Sequence, residues 1–180
     1  MSRSSFPNDR RYSKQFAVDV ELSDFDLDNV MAYVSKREGK ECKKIDKDAR
    51  YDFFCGDTSY EHKADRQAHT TGNFLVEVFN WKRGRKQWLY NCEAVYFVVT
   101  SKLGIKCYRW FDGIRKAVLD NPLDWVDYVK FGGDGYGMQT LCIPLEKLER
   151  FVEWSDDWKF PSPTDVINAR RERILAEKSP

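Results

Sequence analysis

The sequence predicts an α/β fold in which one central mixed β-sheet is flanked by helices. Segments typical of strands are interspersed with segments whose apolar residues recur at helical spacing. The chain has 180 residues, of which 42% are hydrophobic and 33% are charged. These values are typical of one globular domain with a sizeable core, and no internal repeat or interdomain linker is found in the sequence.

The first predicted helix follows an extended segment. Gln15–Leu22 reads as a strand or an extended stretch. Ser23 or Asp24 is a suitable N-cap for a helix that runs to about Arg37, because the apolar residues that follow recur at helical spacing. Glu38–Ala49 is interpreted as a charged connection.

Most of the strands are predicted in the middle of the chain. Arg50–Cys55 and Ser59–Asp65 are separated by a Gly56-Asp57 turn signal, so they are expected to form a hairpin. Three further segments rich in β-branched and aromatic residues are predicted as strands. They are Gly72–Phe79, Ala94–Thr100 and Ile105–Trp110.

The C-terminal half is predicted to contain three helices and one last strand. Proline signals mark the end of the first of these helices and the start of the second, while a glycine cluster marks a loop. The elements are a helix at Phe111–Leu119, a loop at Gly132–Gly135, a strand at Gln139–Ile143, a helix from Pro144 to about Trp154, and a charged helix at Thr164–Lys178.

Residues 14–160 are expected to form a single domain, preceded by a polar and mobile segment at residues 1–13. Residues 161–180 form a C-terminal helix that either packs on its own domain or makes a homodimer. The five cysteines are odd in number and lie far apart. They therefore indicate reduced thiols in a cytoplasmic, intracellular compartment and exclude a disulfide framework. No apolar run approaches the roughly 20 residues of a membrane span, so no membrane association is expected.

The overall charge does not favour nucleic acid as a partner, since the net charge is only +1. Binding of nucleic acid would have to depend on local patches of basic residues. One such patch, Lys82, Arg83, Arg85 and Lys86, lies in a predicted turn at Trp81–Gln87. A solvated face is the alternative interpretation of this patch.

Acidic residues and one lysine are concentrated in the predicted hairpin. Glu61, Lys63 and Asp65 share one face of their strand because side chains alternate along it, and Asp52 can reach Glu61 from the preceding strand. Mg²⁺ prefers oxygen ligands, and one or two carboxylates with water suffice. Asp52 and Glu61 are therefore predicted metal ligands, and Lys63 would neutralise charge that develops on a phosphate.

Context distinguishes this cluster from the rest of a highly charged chain. The sequence contains four acid-x-Lys triplets, and only Glu61-His62-Lys63 lies in a predicted strand beside another acidic strand. Glu77 has apolar neighbours on both sides, so it needs a cation, a metal or Lys63, unless it faces water on an edge strand. His62 is predicted to be a packing or surface residue, and His69 lies in the loop beside the cluster.

These residues resemble the PD-(D/E)XK nuclease superfamily, in particular phage and bacterial members with an ExKxD–TGNxxxE pattern. Tyr60–Asp65, Thr71–Phe74 and Glu77 carry the resemblance. It implies a restriction-endonuclease-like core and a metal-dependent deoxyribonuclease that uses Mg²⁺, with Mn²⁺ as a substitute. Phage members suggest a phage-encoded protein that acts in a bacterial host.

The resemblance also implies roles for individual residues. The implied catalytic residues are Asp52, Glu61, Lys63 and Glu77; the implied metal ligands are Asp52, Glu61 and Asp65; and the implied nucleic-acid contacts are Thr71, Asn73, Lys82, Arg83, Arg85 and Lys86. The superfamily's early helix often adds an acid, for which Asp24, Asp26, Asp28 and Glu38 are equal candidates.

This chain departs from the superfamily pattern at two places. Tyr51, instead of proline, precedes Asp52. Relatives carry a Ser-Gly-containing segment and a strand-entry Asp after the position of Glu77, whereas this chain carries Lys82–Lys86 and Asn91–Glu93. The second departure affects the prediction of the substrate class more than the prediction of the hydrolytic chemistry.

The leading hypothesis is thus a Mg²⁺-dependent endonuclease with DNA as its partner. One alternative is a structure-specific Holliday junction or flap resolvase, which would act as a symmetric dimer. Another alternative is a non-catalytic nucleic-acid-binding module on the same fold. A small-molecule enzyme has no support in the sequence, which lacks a P-loop, a dinucleotide fingerprint, a nucleophile elbow and an HExxH motif.

Overall fold

The computed structural model of the chain describes residues 10–45, 50–65, 68–126, 128–132, 137–159 and 161–177. The chain divides into a first unit, Met1–Asn29 with Pro161–Pro180, and a second unit, Val30–Phe160. Part of the predicted mobile segment, residues 1–9, lies outside the described residues, as does most of the predicted glycine loop, residues 133–135.

The described residues contain seven α-helices and ten strands. The helices are α1 (Arg10–Glu38), α2 (Ala68–Thr71), α3 (Trp88–Asn91), α4 (Lys116–Asp120), α5 (Pro122–Trp125), α6 (Leu145–Leu148) and α7 (Pro163–Glu177). The strands are β1 (Cys42–Lys44), β2 (Phe53–Cys55), β3 (Thr58–Ala64), β4 (Asn73–Asn80), β5 (Arg85–Lys86), β6 (Tyr96–Ser101), β7 (Gly104–Arg109), β8 (Tyr128–Gly132), β9 (Met138–Pro144) and β10 (Val152–Asp156). None of these helices is long and apolar enough to cross a membrane.

The first unit contains α7 and most of α1. The strand predicted at Gln15–Leu22 is wrong, because α1 is one continuous helix of 29 residues that begins at Arg10. Adding a turn to an existing helix costs far less than starting one, so the cap signal at Ser23 and Asp24 does not interrupt it. The predicted C-terminal helix is confirmed as α7.

The larger sheet of the second unit has six strands in the order β1-β2-β3-β6-β7-β10. It is mixed, because β3 and β6 are parallel while the other neighbours are antiparallel. The predicted hairpin of β2 and β3 is confirmed, with Phe53 opposite Tyr60. Gly56 in its turn has φ 58°, a left-handed conformation that glycine adopts without steric cost.

The smaller sheet has four antiparallel strands in the order β5-β4-β9-β8. The prediction of a mixed sheet with flanking helices is confirmed, but the prediction that all strands share one sheet is wrong. Alternation shows that a segment is a strand and does not specify its neighbour. Here β4 pairs with β5 and β9 rather than with the hairpin that precedes it.

Both sheets contribute to the core of the second unit. Phe74 and Val76 of β4 are buried together with Phe97 of β6 and Trp110, which follows β7. The Trp88 ring at the start of α3 stacks on Trp110 at 4.1 Å between centroids. Aromatic packing of this kind fixes the positions of the strands that carry the site.

Two predicted helices differ from the observed elements. The segment predicted as a helix at Phe111–Leu119 begins as a π-helical turn, Trp110–Arg115, and continues as α4. The helix predicted from Pro144 to Trp154 is wrong beyond Leu148, because a 3-10 turn follows and β10 then pairs with β7. Pairing with an open sheet edge here overrides the helical pattern.

We expect Phe97→Ala to lower the free energy of unfolding by about 3–5 kcal/mol, because it opens a cavity at a ring that is fully buried. Urea unfolding monitored by circular dichroism measures this change. Leu123→Ala is the control, since that side chain is 93% exposed and its loss is expected to change stability by less than about 0.5 kcal/mol. Similar effects of the two substitutions would contradict the described core.

Candidate functional site

The β2–β3 hairpin brings the first predicted acid next to the second. Asp52 lies just before β2, and its backbone N–H donates to the Tyr60 carbonyl at 2.9 Å. The Asp52 Oδ2 atom accepts a hydrogen bond from the backbone N–H of His62 at 2.8 Å. Extending the register by one residue puts Asp52 opposite Glu61, where side chains of antiparallel strands share a face.

Glu61 has an environment that disfavours its charged form. Burial, with a further contribution from the charge of Asp52, raises the pKa of Glu61 to about 8. The indole Nε1–H of Trp88 donates to Glu61 Oε1 at 2.9 Å, which opposes that increase, as does the charge of Lys63. The carboxyl group is therefore held between a second acid and an indole donor.

Lys63 lies on the same face of β3 and reaches the smaller sheet. Its Nζ atom donates to the backbone carbonyl of Leu75 in β4 at 2.7 Å. The ammonium is 5.4 Å from the centroid of the Phe74 ring and 5.9 Å from that of Trp88, so aromatic faces surround it. Burial lowers the pKa of Lys63, and the charges of Glu77, Asp65 and Glu61 oppose that decrease.

Glu77 and Asp65 both act on Lys63 through their charge. Glu77 is half-buried on β4, opposite Thr140 of β9. Asp65 is buried directly after β3, and its Oδ1 atom accepts a hydrogen bond from the backbone N–H of Ala68 at 2.9 Å. One oxygen of Asp65 thereby holds the start of α2, which is a local structural role. Its role as a metal ligand stays a prediction.

The predicted metal ligands form a pair and not a larger cluster. Within the ranges that the structure describes, no group of three or more His, Cys, Asp or Glu side chains is arranged to hold a metal ion. Asp52 and Glu61 are the two carboxylates that the hairpin brings together. Two carboxylates suit Mg²⁺, which usually keeps several water ligands and takes the rest from substrate phosphates.

The Thr71-Gly72-Asn73 segment forms a tight local turn between α2 and β4. The Thr71 hydroxyl accepts the backbone N–H of Asn73 at 3.3 Å, and Asn73 Nδ2 donates to the Thr71 carbonyl at 3.0 Å. Gly72 has φ 67°, and its carbonyl accepts the backbone N–H of Leu145 at 2.9 Å. These bonds set the start of β4, so a direct role of Thr71 and Asn73 in nucleic-acid binding stays a prediction.

The predicted basic patch is exposed and lies close to the site in sequence. Lys82 and Arg83 are in the turn between β4 and β5, while Arg85 and Lys86 form β5. The Lys86 ammonium lies 4.6 Å from the centroid of the Tyr90 ring. Two residues after Lys86 the chain reaches Trp88, the hydrogen-bond donor to Glu61. The patch and the acidic pair are thus joined by a short stretch of chain.

The histidines and the early acids have separate environments. The ring Nε2 atom of His62 lies 3.0 Å from the Thr100 hydroxyl, which agrees with the packing role predicted for it. His69 is exposed on α2. Of the early acids, Asp26 is buried within the first unit, and Glu38 is exposed at the end of α1. These observations do not identify a further acid of the site.

Two groups at the site were not anticipated from the sequence: the Trp88 indole and the Leu75 carbonyl. A backbone carbonyl has no signature in the sequence, and Trp88 is one of six tryptophans. Its position directly after the basic patch is the one signal that distinguishes it. Comparison of the chain with family models, curated proteins and solved structures gave no match.

We expect the stability of the wild-type protein, relative to Glu61→Gln, to fall as pH rises. The pKa of Glu61 is raised from 4.5 to about 8, so between these values the folded state binds more protons than the unfolded state and the free energy of unfolding decreases. Glutamine does not titrate, so Glu61→Gln should gain on the order of 1–3 kcal/mol relative to wild type between about pH 5 and about pH 8.

Urea unfolding of both proteins in EDTA at the two pH values measures this difference. Trp88→Phe is the matched control, because it removes the indole donor and keeps an aromatic ring and the Glu61 carboxyl. It should therefore keep the decrease in stability with rising pH, and this decrease should extend to higher pH because the hydrogen bond that opposes the raised pKa of Glu61 is lost. A stability difference between wild type and Glu61→Gln that does not change with pH would contradict the described environment of Glu61.

Proposed function

We propose that this chain is a Mg²⁺-dependent endonuclease that hydrolyses DNA phosphodiester bonds. The observation that carries the proposal is the pairing of Asp52 with Glu61 beside a half-buried Lys63. Two acids and a lysine in this arrangement combine a site for a hard cation with a fixed positive charge. The mixed sheet, with the acids on its hairpin, supports the restriction-endonuclease-like core implied by the resemblance.

The donor set fits Mg²⁺. Asp52 and Glu61 offer carboxylate oxygens, and a divalent cation between them would offset the repulsion that contributes to the raised pKa of Glu61. Bound there, Mg²⁺ would polarise a phosphate oxygen and lower the pKa of a bound water. Mn²⁺ offers the same preference for oxygen ligands and is proposed as a substitute.

The protein groups have distinct roles in this proposal. Asp52 is oriented by the His62 N–H, and Glu61 is oriented by the Trp88 indole, so both carboxylates are held before any substrate arrives. The Lys63 ammonium would stabilise negative charge that develops on the phosphate during hydrolysis. Glu77 is a positioning residue, since its charge favours the protonated form of the half-buried Lys63.

The exposed basic patch supports DNA as the partner. Lys82, Arg83, Arg85 and Lys86 can contact backbone phosphates, an interaction that is independent of sequence and sensitive to salt. The Holliday junction or flap resolvase stays an alternative prediction. Homodimerisation through α7, the intracellular location and the phage origin all stay predictions.

We expect Lys63→Met and Asp52→Asn each to reduce the rate of DNA cleavage by about 100-fold or more, because each removes a charge that acts on the reacting phosphate or on the metal. The measurement is nicking of supercoiled DNA and cleavage of linear, single-stranded, flap and four-way-junction substrates with Mg²⁺, Mn²⁺ or EDTA. Urea unfolding of each variant separates lost chemistry from lost folding.

The chain supplies a matched control for Lys63. Lys43 occurs in the same acid-x-Lys pattern, but it is exposed and pairs with Glu41 at 3.5 Å. Lys43→Met should cleave at the wild-type rate. Cleavage that persists in EDTA, or in folded Lys63→Met and Asp52→Asn, would refute the proposal. Binding of DNA without cleavage by the wild-type protein would favour the non-catalytic module.

A further inference from the structure

Aromatic side chains become progressively exposed along one face of the smaller sheet. At one end of β4, Phe74 and Val76 are buried in the core. Beyond them, Phe79 is half-buried and Trp81 is 61% exposed, with ring centroids 4.7 Å apart. Phe131 of β8 is 68% exposed. We call Phe79, Trp81 and Phe131 the aromatic surface.

The strand register places these rings on one face. Gln139 of β9 lies opposite both Phe79 and Phe131, and directly opposed residues of antiparallel strands point to the same side. The backbone N–H of Trp81 donates to the Gly137 carbonyl at 2.7 Å, so pairing continues past the end of β4. Phe79 and Phe131 are separated by one intervening strand, or about 10 Å. They therefore offer separate stacking positions.

Basic residues border the aromatic surface. Lys86 lies opposite Phe79 on β5, and a Cβ atom added at Gly137 would meet the Lys82 side chain at 2.7 Å. Both lysines are therefore on the aromatic face. Residues 78–91, 128–132 and 137–143 contain five Lys or Arg and no Asp or Glu. The acids that flank these ranges in sequence are Glu77, Glu93, Asp127, Asp134 and Glu146, of which Asp127 and Asp134 lie outside the described residues. Glu77 lies opposite Thr140, on the other face of the sheet from Gln139.

We propose that the aromatic surface binds single-stranded DNA, with unpaired bases stacked on Trp81 and Phe131 and with the backbone along Lys82 and Lys86. Exposed rings beside a basic border match the chemistry of an unpaired strand, which presents flat base faces and a charged backbone. In a duplex the base faces are covered by their neighbours, so the rings would contribute little there. The choice of DNA rests on the proposed function, and the inference extends it to substrates that contain an unpaired segment.

The charge of this surface argues against an apolar protein partner. A hydrophobic interface excludes charges from its centre, whereas here Lys82 and Lys86 lie beside the rings. An anionic ligand that also has aromatic groups would pair with the lysines and stack on the rings. Self-association of the chain through these rings would instead appear as dimers in sedimentation.

The test measures binding in EDTA, so it does not depend on cleavage. Fluorescence anisotropy with labelled oligo(dT) of about 20 nucleotides, a duplex of the same length and oligo(U) gives the affinities. Trp81→Ala and Phe131→Ala should each weaken binding of oligo(dT) by about 5- to 100-fold, and should change duplex binding by less than about 3-fold. Trp81→Phe should restore most of the oligo(dT) affinity, because it restores a stacking ring.

Leu123→Ala is the matched control, since this side chain is also exposed but lies on α5. It should leave all affinities unchanged. Equal losses for oligo(dT) and duplex, no loss in either ring variant, no wild-type binding of oligo(dT), or tighter binding of oligo(U) would overturn the inference. Concentration-dependent dimers in sedimentation that disappear in Trp81→Ala would assign the surface to self-association and also overturn it. Failure of the proposed nuclease would instead be seen as missing cleavage with these affinities intact.

Discussion

The Lys63 ammonium is the charge around which the site is organised. An ammonium removed from water is costly unless hydrogen bonds and opposite charges compensate. The structure provides both, through the Leu75 carbonyl at 2.7 Å and through the charges of Glu77, Asp65 and Glu61. Because Lys63 belongs to the larger sheet and Leu75 to the smaller one, this hydrogen bond also connects the two sheets. The charge of Lys63 is therefore compensated only if the fold brings acidic residues of β3, β4 and the segment between them together around it.

Trp88 connects the acidic pair to the hydrophobic core. Its indole donates to Glu61, while its ring stacks on Trp110 at 4.1 Å and lies 4.7 Å from the Phe97 ring. A carboxyl group in an apolar setting tends to retain its proton, which agrees with the raised pKa of Glu61. The packing that orients Glu61 therefore also raises the free energy of its charged form. A cation beside Asp52 and Glu61 would instead stabilise the charged form.

Sequence patterns were sufficient for the local parts of this site and insufficient for its tertiary contacts. The Gly56-Asp57 turn signal specified the hairpin, and alternation put Glu61 and Lys63 on one face, as observed. The division into two sheets was missed, because a strand pattern does not encode its partner. The role of Trp88 was missed for a related reason, since it depends on packing between α3 and β3. The continuous α1 was missed because Ser23 and Asp24, although good cap residues, do not end a helix that is already formed.

The segment after Glu77 is where this chain departs from the nuclease pattern that it resembles, and it also connects the proposed substrate contacts to the proposed metal ligands. Within eleven residues the chain passes from Phe79, through Trp81 and the basic patch of Lys82–Lys86, to the first turn of α3. Gln87 is anchored by a hydrogen bond from its backbone N–H to the Val78 carbonyl at 2.8 Å, so the intervening loop is closed at its base. The next residue, Trp88, donates to Glu61. A ligand that orders this loop would act on a segment whose end orients a proposed metal ligand. Departure from the pattern in this segment thus alters the proposed substrate surface, while the Trp88 hydrogen bond keeps that surface connected to the acidic pair.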